Sequence, residues 1–284
     1  MFVAELIQYI FLGLFLGGMY NGGFDYTVER GVYNRCAGTF FVLSILIFTP
    51  PFTAIQTFSL ERALFWKERN DKLYHTSSWI VAKSLVSAPI KAAFCLAFTA
   101  ICYFMCGYQA RADKFFLFFA MLALFQISAE ATGLLFSIAT KSPVYAIVWM
   151  SLVLIVALSL TGFLTYDMPV YYKWIQDANI LRFALLALLK IEFEGLTFVA
   201  ADGLAYEGID AIPAGLKPTQ SLGTYFGITI VFLIGLKLLA YLFLVLQESE
   251  PTSLLGCHSE SSTLHQKLLM EEESAQEDGG DELL

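Results

Sequence analysis

Apolar residues in this chain come in long unbroken runs, without the alternation of a half-buried strand. Six runs approach or exceed the roughly 20 residues needed to cross about 30 Å of hydrocarbon. They cover residues 2–20, 37–58, 79–106, 115–140, 144–165 and 222–246. In lipid a helix satisfies its own backbone groups without closing a barrel, so each run predicts a helix. The expected fold class is an all-α integral membrane protein with six transmembrane helices. The first run lacks a basic n-region and a small-residue exit, and it carries Glu5 and Gln8, so it reads as a span, not a signal peptide.

Polar segments between the runs carry their own pattern. Residues 59–75, SLERALFWKERNDKLYH, form a charged interruption between two apolar runs. Lys67 with Asp71 and Glu68 with Lys72 stand at i,i+4 spacing, while Leu60, Leu64, Phe65 and Trp66 supply an apolar side. This predicts an amphipathic helix outside the bilayer that needs a partner surface. Residues 166–221 are too long for a plain connection. Within them, WIQDANILRFALLALL at 174–189 is apolar but broken by Asp177, Asn179 and Arg182, which favours a re-entrant or surface helix over a seventh span. Residues 195–220, rich in Gly, Ala and Pro, read as loop.

Composition agrees with the membrane class: 57% of the 284 residues are hydrophobic and 15% charged, with a mean hydropathy of +0.65. Much of the net charge of −8 sits in the acidic tail at 247–284, which reads as a disordered cytosolic terminus, so the charge is no evidence for a basic or acidic ligand, and no nucleic-acid partner is expected. Five cysteines make no secreted framework. Cys95, Cys102 and Cys106 share one side of the third run and read as helix packing, while Cys257 in the tail is a weak palmitoylation candidate. The tail also holds EPTSLL at 250–255, a sequence of acidic-dileucine type. His75, His258 and His265 are scattered and form no metal or nucleophile constellation.

A few residues stand out inside the runs. Gly13 and Gly17 form a small-x-x-x-small pair, suited either to packing within the chain or to dimerisation. Pro50 and Pro51 remove hydrogen bonds to the Leu46 and Ile47 carbonyls, which predicts a kink or an unwound turn. Lys91, Glu130 and Lys237 lie at membrane depth, where a charge costs roughly 2.5–3.5 kcal/mol on insertion scales and faces protein or water. Two readings stand for Lys91, Gln126, Glu130 and Thr132: a polar relay that couples docking to cavity shape, or a static ion pair. Lys237 also has the option of snorkelling. Ion-coupled transport through Glu130 and Lys91 is disfavoured, because the runs show no inverted repeat.

Several segments, in order, resemble the membrane domain of type-2 ABC transporters, in particular the G subfamily of White-like half-transporters and pleiotropic drug exporters. They are LGLFLGGMYNG in the first run, ERALFWKER with LYHTSSWIVAKSLVSAPI, YFMCGYQARADKFF, LTGFL, and ILRFALLALLKIEFEG with YEGID. The resemblance implies a cytosolic coupling helix at 60–73, using Leu60, Glu61, Arg62, Leu64, Phe65, Lys67 and Glu68 to dock on a nucleotide-binding domain. It also implies cytosolic termini, an external loop at 166–221 with a re-entrant helix, and homo- or heterodimerisation along the second and fifth spans. A cavity for lipophilic cargo would be lined by Phe48, Thr49, Phe52, Ser151, Ile155 and Leu158, closed by a valve at Phe163 and Leu164. Arg182 and Glu192 match charged positions that hold the re-entrant helix. ATP and magnesium would belong to the nucleotide-binding domain, fused upstream or on a separate chain, since these residues contain no G-x-x-x-x-G-K-[ST]. A truncated partner that dimerises with intact half-transporters and regulates them is the alternative.

Overall fold

The computed structural model describes residues 2–28, 30–140, 142–164, 169–199 and 205–249. The EPTSLL sequence, Cys257 and the acidic tail from residue 250 onward lie outside the described residues. Four long helices come first: α1 (Phe2–Tyr20), α2 (Gly31–Asn70), α3 (Thr76–Cys106) and α4 (Ala112–Ala139). Then follow α5 (Pro143–Ser159), α6 (Val170–Asp177) and α7 (Ile180–Phe193). A ribbon of β1 (Thr197–Val199) and β2 (Ala205–Glu207) leads through α8 (Gly208–Ala211) to α9 (Leu222–Ser249). Contacts divide the chain into Met1–Phe243 and Leu244–Leu284, and the described residues of the second unit complete α9. Among the described residues, five helices, α1 to α4 and α9, are long and apolar enough to cross a membrane. At 17 residues α5 is shorter than that.

Two expectations need correction. The charged segment after residue 58 is not a separate helix: α2 continues for 40 residues to Asn70, through Pro50 and Pro51 and with no unwound turn. Nothing in SLERALFWKERN breaks a helix, and the rod, about 60 Å long at 1.5 Å per residue, stops only where Lys72 takes a left-handed φ of 55°. The stretch at 195–220 is not all loop either. Its antiparallel ribbon pairs Phe198 with Tyr206, and Val199 exchanges backbone hydrogen bonds with Tyr26 and Val28 ahead of α2.

Close approach decides how the long helices meet. A Cβ built on Gly133 of α4 would lie 2.3 Å from the Pro51 carbonyl oxygen and 2.5 Å from its Cα, so only hydrogen fits between α4 and α2 there. The Gly13 and Gly17 pair is used inside the chain: a Cβ on Gly17 would fall 2.7 Å from that of Met105 on α3. The thiols of Cys102 and Cys106 point across the same seam to the Gly13 and Leu16 carbonyls, at 3.7 and 3.9 Å. This is the packing role read for those cysteines.

Helix α7 is buried almost throughout, from Leu181 to Phe193, and packs against α4 and α2. Both ends are pinned by polar groups. At its start, the Asn179 side chain accepts from the Leu181 amide at 3.1 Å and donates to the Ala157 carbonyl of α5 at 2.7 Å. At its end, fully buried Glu192 forms an ion pair with Arg35 of α2, and its second oxygen accepts from the Gln109 amide at 3.2 Å. Arg35 also donates to the Phe24 carbonyl at 3.1 Å and lies over the Phe24 and Tyr26 rings. Burial pushes the Glu192 carboxyl up to about 7, against the pull of Arg35 and the Gln109 amide. Arg182 reaches Asp177 at the end of α6, at 3.9 Å, so the two matched charges tie α7 to different helices, Arg182 to the adjacent α6 and Glu192 to α2.

Two consequences are measurable. Gly133→Ala forces α4 off the Pro51 backbone and should cost about 1–3 kcal/mol, read as a lowered melting temperature in detergent; an unchanged melting temperature would contradict the contact. Arg35→Ala strands a buried carboxylate and should cost about 3–5 kcal/mol. Glu192→Gln, which keeps the shape, should cost less, and the reverse order would show that the pair does not hold α7.

Candidate functional site

The last turns of α2 are braced on one side and bare on the other. Phe65 is 2% exposed and sits among the rings of Phe58, Trp66, Tyr74 and Trp79. Arg62 donates to the Ser137 carbonyl of α4 and stacks on Phe58. Glu61 pairs with Lys83 of α3, and Glu68 accepts from the Tyr74 hydroxyl at 2.9 Å. Burial, with Glu68 beside it, pushes the Tyr74 phenol up to about 12. Of the seven residues expected to dock, Glu61, Arg62, Phe65 and Glu68 therefore hold the segment onto its own chain. Exposed together are Leu60 (80%), Ala63, Leu64 (57%) and Lys67, at the i, i+3, i+4, i+7 spacing of one helical stripe.

Helices α2 and α5 pack directly against each other. On α5, Ala146, Met150 and Leu154 face inward, while Tyr145, Val148, Trp149, Leu152 and Ile155 are exposed. Phe48, Thr49 and Phe52 of α2 are half-buried, and the two rings stack at 6.4 Å one turn apart. Ser151 and Leu158 are also half-buried, with the Ser151 hydroxyl spent on the Val148 carbonyl. Beyond α5, Phe163 stacks on Phe40 at 4.6 Å between centroids, but Leu164 is 60% exposed. Only one of the two expected valve residues is packed within the chain.

The intramembrane polar groups pair differently from the expected relay. Lys91 forms a buried ion pair with Glu5 of α1. Gln126 donates to the Tyr9 hydroxyl at 3.0 Å, and Thr132 donates to the Ala129 carbonyl of its own helix at 2.7 Å. Glu130 joins none of these; it lines a cavity of about 410 Å³ with Glu5, Glu61, Lys83, Lys91 and Lys237. The relay residues thus form separate contacts among the described residues, because Thr132 and Gln126 turn to their own helix and to α1. Glu5, Tyr9 and Lys83 escaped the sequence reading. One signal was present: Trp79, Lys83, Ser87 and Lys91 recur every four residues, a polar stripe down one side of α3.

The ABC-2 type transporter family model matches residues 1–193. ABC transporter G family member 22 of Arabidopsis thaliana is 26% identical over 220 residues, covering 78% of this chain and 27% of the relative. Protein white of Drosophila melanogaster is 29% identical over 188 residues, 66% of this chain and 27% of that protein. The broad substrate specificity ATP-binding cassette transporter ABCG2 of Mus musculus is 28% identical over 202 residues, 69% and 30% of the two chains. The chain therefore spans between about a quarter and a third of the length of these relatives. Long apolar helices in this order, a matching family model and relatives that are G-family transporters converge: the chain belongs to the ABC-2 type transporter family and fits its G-subfamily membrane domain.

Proposed function

We propose that this chain is the permease part of a G-subfamily ABC exporter that moves lipophilic cargo, a lipid, sterol or xenobiotic. In this reading α5 with residues 160–164 is the fifth of six spans, α7 is a re-entrant helix, and the termini are cytosolic. A nucleotide-binding domain, on the same polypeptide or on another, binds ATP with magnesium and supplies the energy of hydrolysis. The exposed stripe of Leu60, Ala63, Leu64 and Lys67 is the observation that supports docking at this end of the bundle. Two apolar anchors one turn apart with a cation beyond them suit a groove with an acidic rim.

Force applied at that stripe acts on a rod. Because α2 is continuous, displacement of its last turns is carried to Phe48, Thr49 and Phe52 and onward to Phe40, which stacks on Phe163. A second copy or a related half-transporter would close the cargo cavity against the exposed α5 face, with Ser151, Ile155 and Leu158 opposite the aromatic pair of α2. Flat apolar molecules are held by stacking without fixed polar registry, in keeping with such cargo. The bilayer supplies both the cargo phase and the solvent for the outer helix faces.

Leu60→Asp with Leu64→Asp should lower recovery of the nucleotide-binding domain in pull-down, and cargo-stimulated ATP hydrolysis, by about tenfold or more. The melting temperature should stay near that of the parent, because both side chains are exposed. Phe65→Asp, by contrast, places a charge in a buried aromatic cluster and should cost about 3 kcal/mol or more of stability. Undiminished recovery with the double variant would exclude this face as the docking surface, and docking without any cargo movement would favour the regulatory-partner reading.

A further inference from the structure

The cavity between α1, α2, α3, α4 and α9 is lined by three carboxylates and three ammonium groups. Its walls balance in charge, so a net cation or a net anion gains little from them, whereas a molecule carrying both signs can meet both. Volume allows it: about 410 Å³ lies within the roughly 300–1,000 Å³ of small-molecule sites.

The charges are not spread evenly in their needs. Glu5 is 5% exposed and gives one oxygen to Lys91; the other is buried and accepts no hydrogen bond among the described residues. One oxygen of Glu130 is buried and unmet in the same way. Buried acceptors without donors are costly, and the remedy is an N–H group brought in by a ligand. Lys83 pairs with Glu61 and holds its ammonium 5.1 Å from the Trp79 ring, with its side chain 21% exposed, and Lys237 lines the same cavity, so an anionic group meets two ammonium groups there. Lys83 and Lys91 are two turns apart on α3, about 12 Å along the axis.

We propose that this cavity binds an ethanolamine-type zwitterion, the headgroup of a phospholipid, with its primary ammonium toward Glu5 and Glu130 and its phosphate toward Lys83 and Lys237. A primary ammonium brings three N–H donors to the unmet oxygens, whereas a choline headgroup of equal charge brings none. Apolar wall positions such as Val86 and Ile90 accommodate the start of the acyl region. The site lies within one subunit, apart from the α2 and α5 face proposed for cargo, and does not depend on the transport reading: it is measured without nucleotide or cargo.

The full chain, reconstituted in nanodiscs of phosphatidylcholine with and without phosphatidylethanolamine, should keep the ethanolamine lipid about tenfold in preference to the choline lipid when retained lipids are counted by native mass spectrometry. Glu130→Gln should bring the two lipids close to parity, with its melting temperature in choline-only discs used to establish that it is folded. Lys83→Met should weaken retention of both lipids, since both carry the phosphate. Soluble phosphoethanolamine added to choline-only discs tests the other source of the same chemistry. A rise in melting temperature there without lipid preference would support the headgroup chemistry and assign it to the free solute. Equal retention of both lipids by the parent chain together with no response to phosphoethanolamine would overturn the site, as would full ethanolamine preference in folded Glu130→Gln. Should Glu130→Gln fail to fold, the parent ratio and the Lys83→Met result decide alone.

Discussion

Hydrocarbon offers no water to a broken backbone, and α2 meets that constraint while carrying two consecutive prolines across the bundle as one helix of 40 residues. Its neighbour α4 comes close enough to shield the proline pair only because residue 133 is glycine, with the Pro51 carbonyl where a side chain would begin. From that contact the rest follows in order. With α4 against its middle, α2 presents Arg35 to α7 at one end and Phe65 to α3 at the other. A helix that flexed or broke at the prolines would uncouple those ends.

Polar groups inside the bundle are used where two helices must be held in one register. Arg35 with Glu192 and Lys91 with Glu5 each join residues far apart in sequence, and each is almost wholly buried. Such pairs contribute little net stability over apolar packing but penalise any arrangement that separates them. Arg35 and Glu192 fix a short buried helix that has no length to span. Lys91 and Glu5 fix α1 on α3 and leave one Glu5 oxygen without a donor beside a cavity, whereas both oxygens of Glu192 are met.

The end of α2 shows the same economy in reverse. Four of the charged or aromatic residues of its last turns are consumed by contacts to α3, α4 and the turn that joins α2 to α3, and this bracing is what leaves a narrow stripe free. A segment read as a floating amphipathic helix is in fact the rigid tip of a spanning one. Rigidity there matters for any displacement delivered at the stripe, since a hinge after residue 58 would absorb it.

Long apolar runs, the charged interruption at 59–75 and the broken apolar run at 174–189 were each legible along the chain, because length in hydrocarbon and helical periodicity are local properties. Family membership was legible too, from the ordered segments through YEGID. What the chain alone could not reveal was pairing. Lys91 could be matched to Glu130 or to Glu5 with equal propriety, Arg35 stood 157 positions from its partner, and Phe65 looked as available as Leu64. Those choices depend on which helix faces meet, and that is set by close approach at residues such as Gly133 and Gly17, a property of the packed bundle and of no single segment.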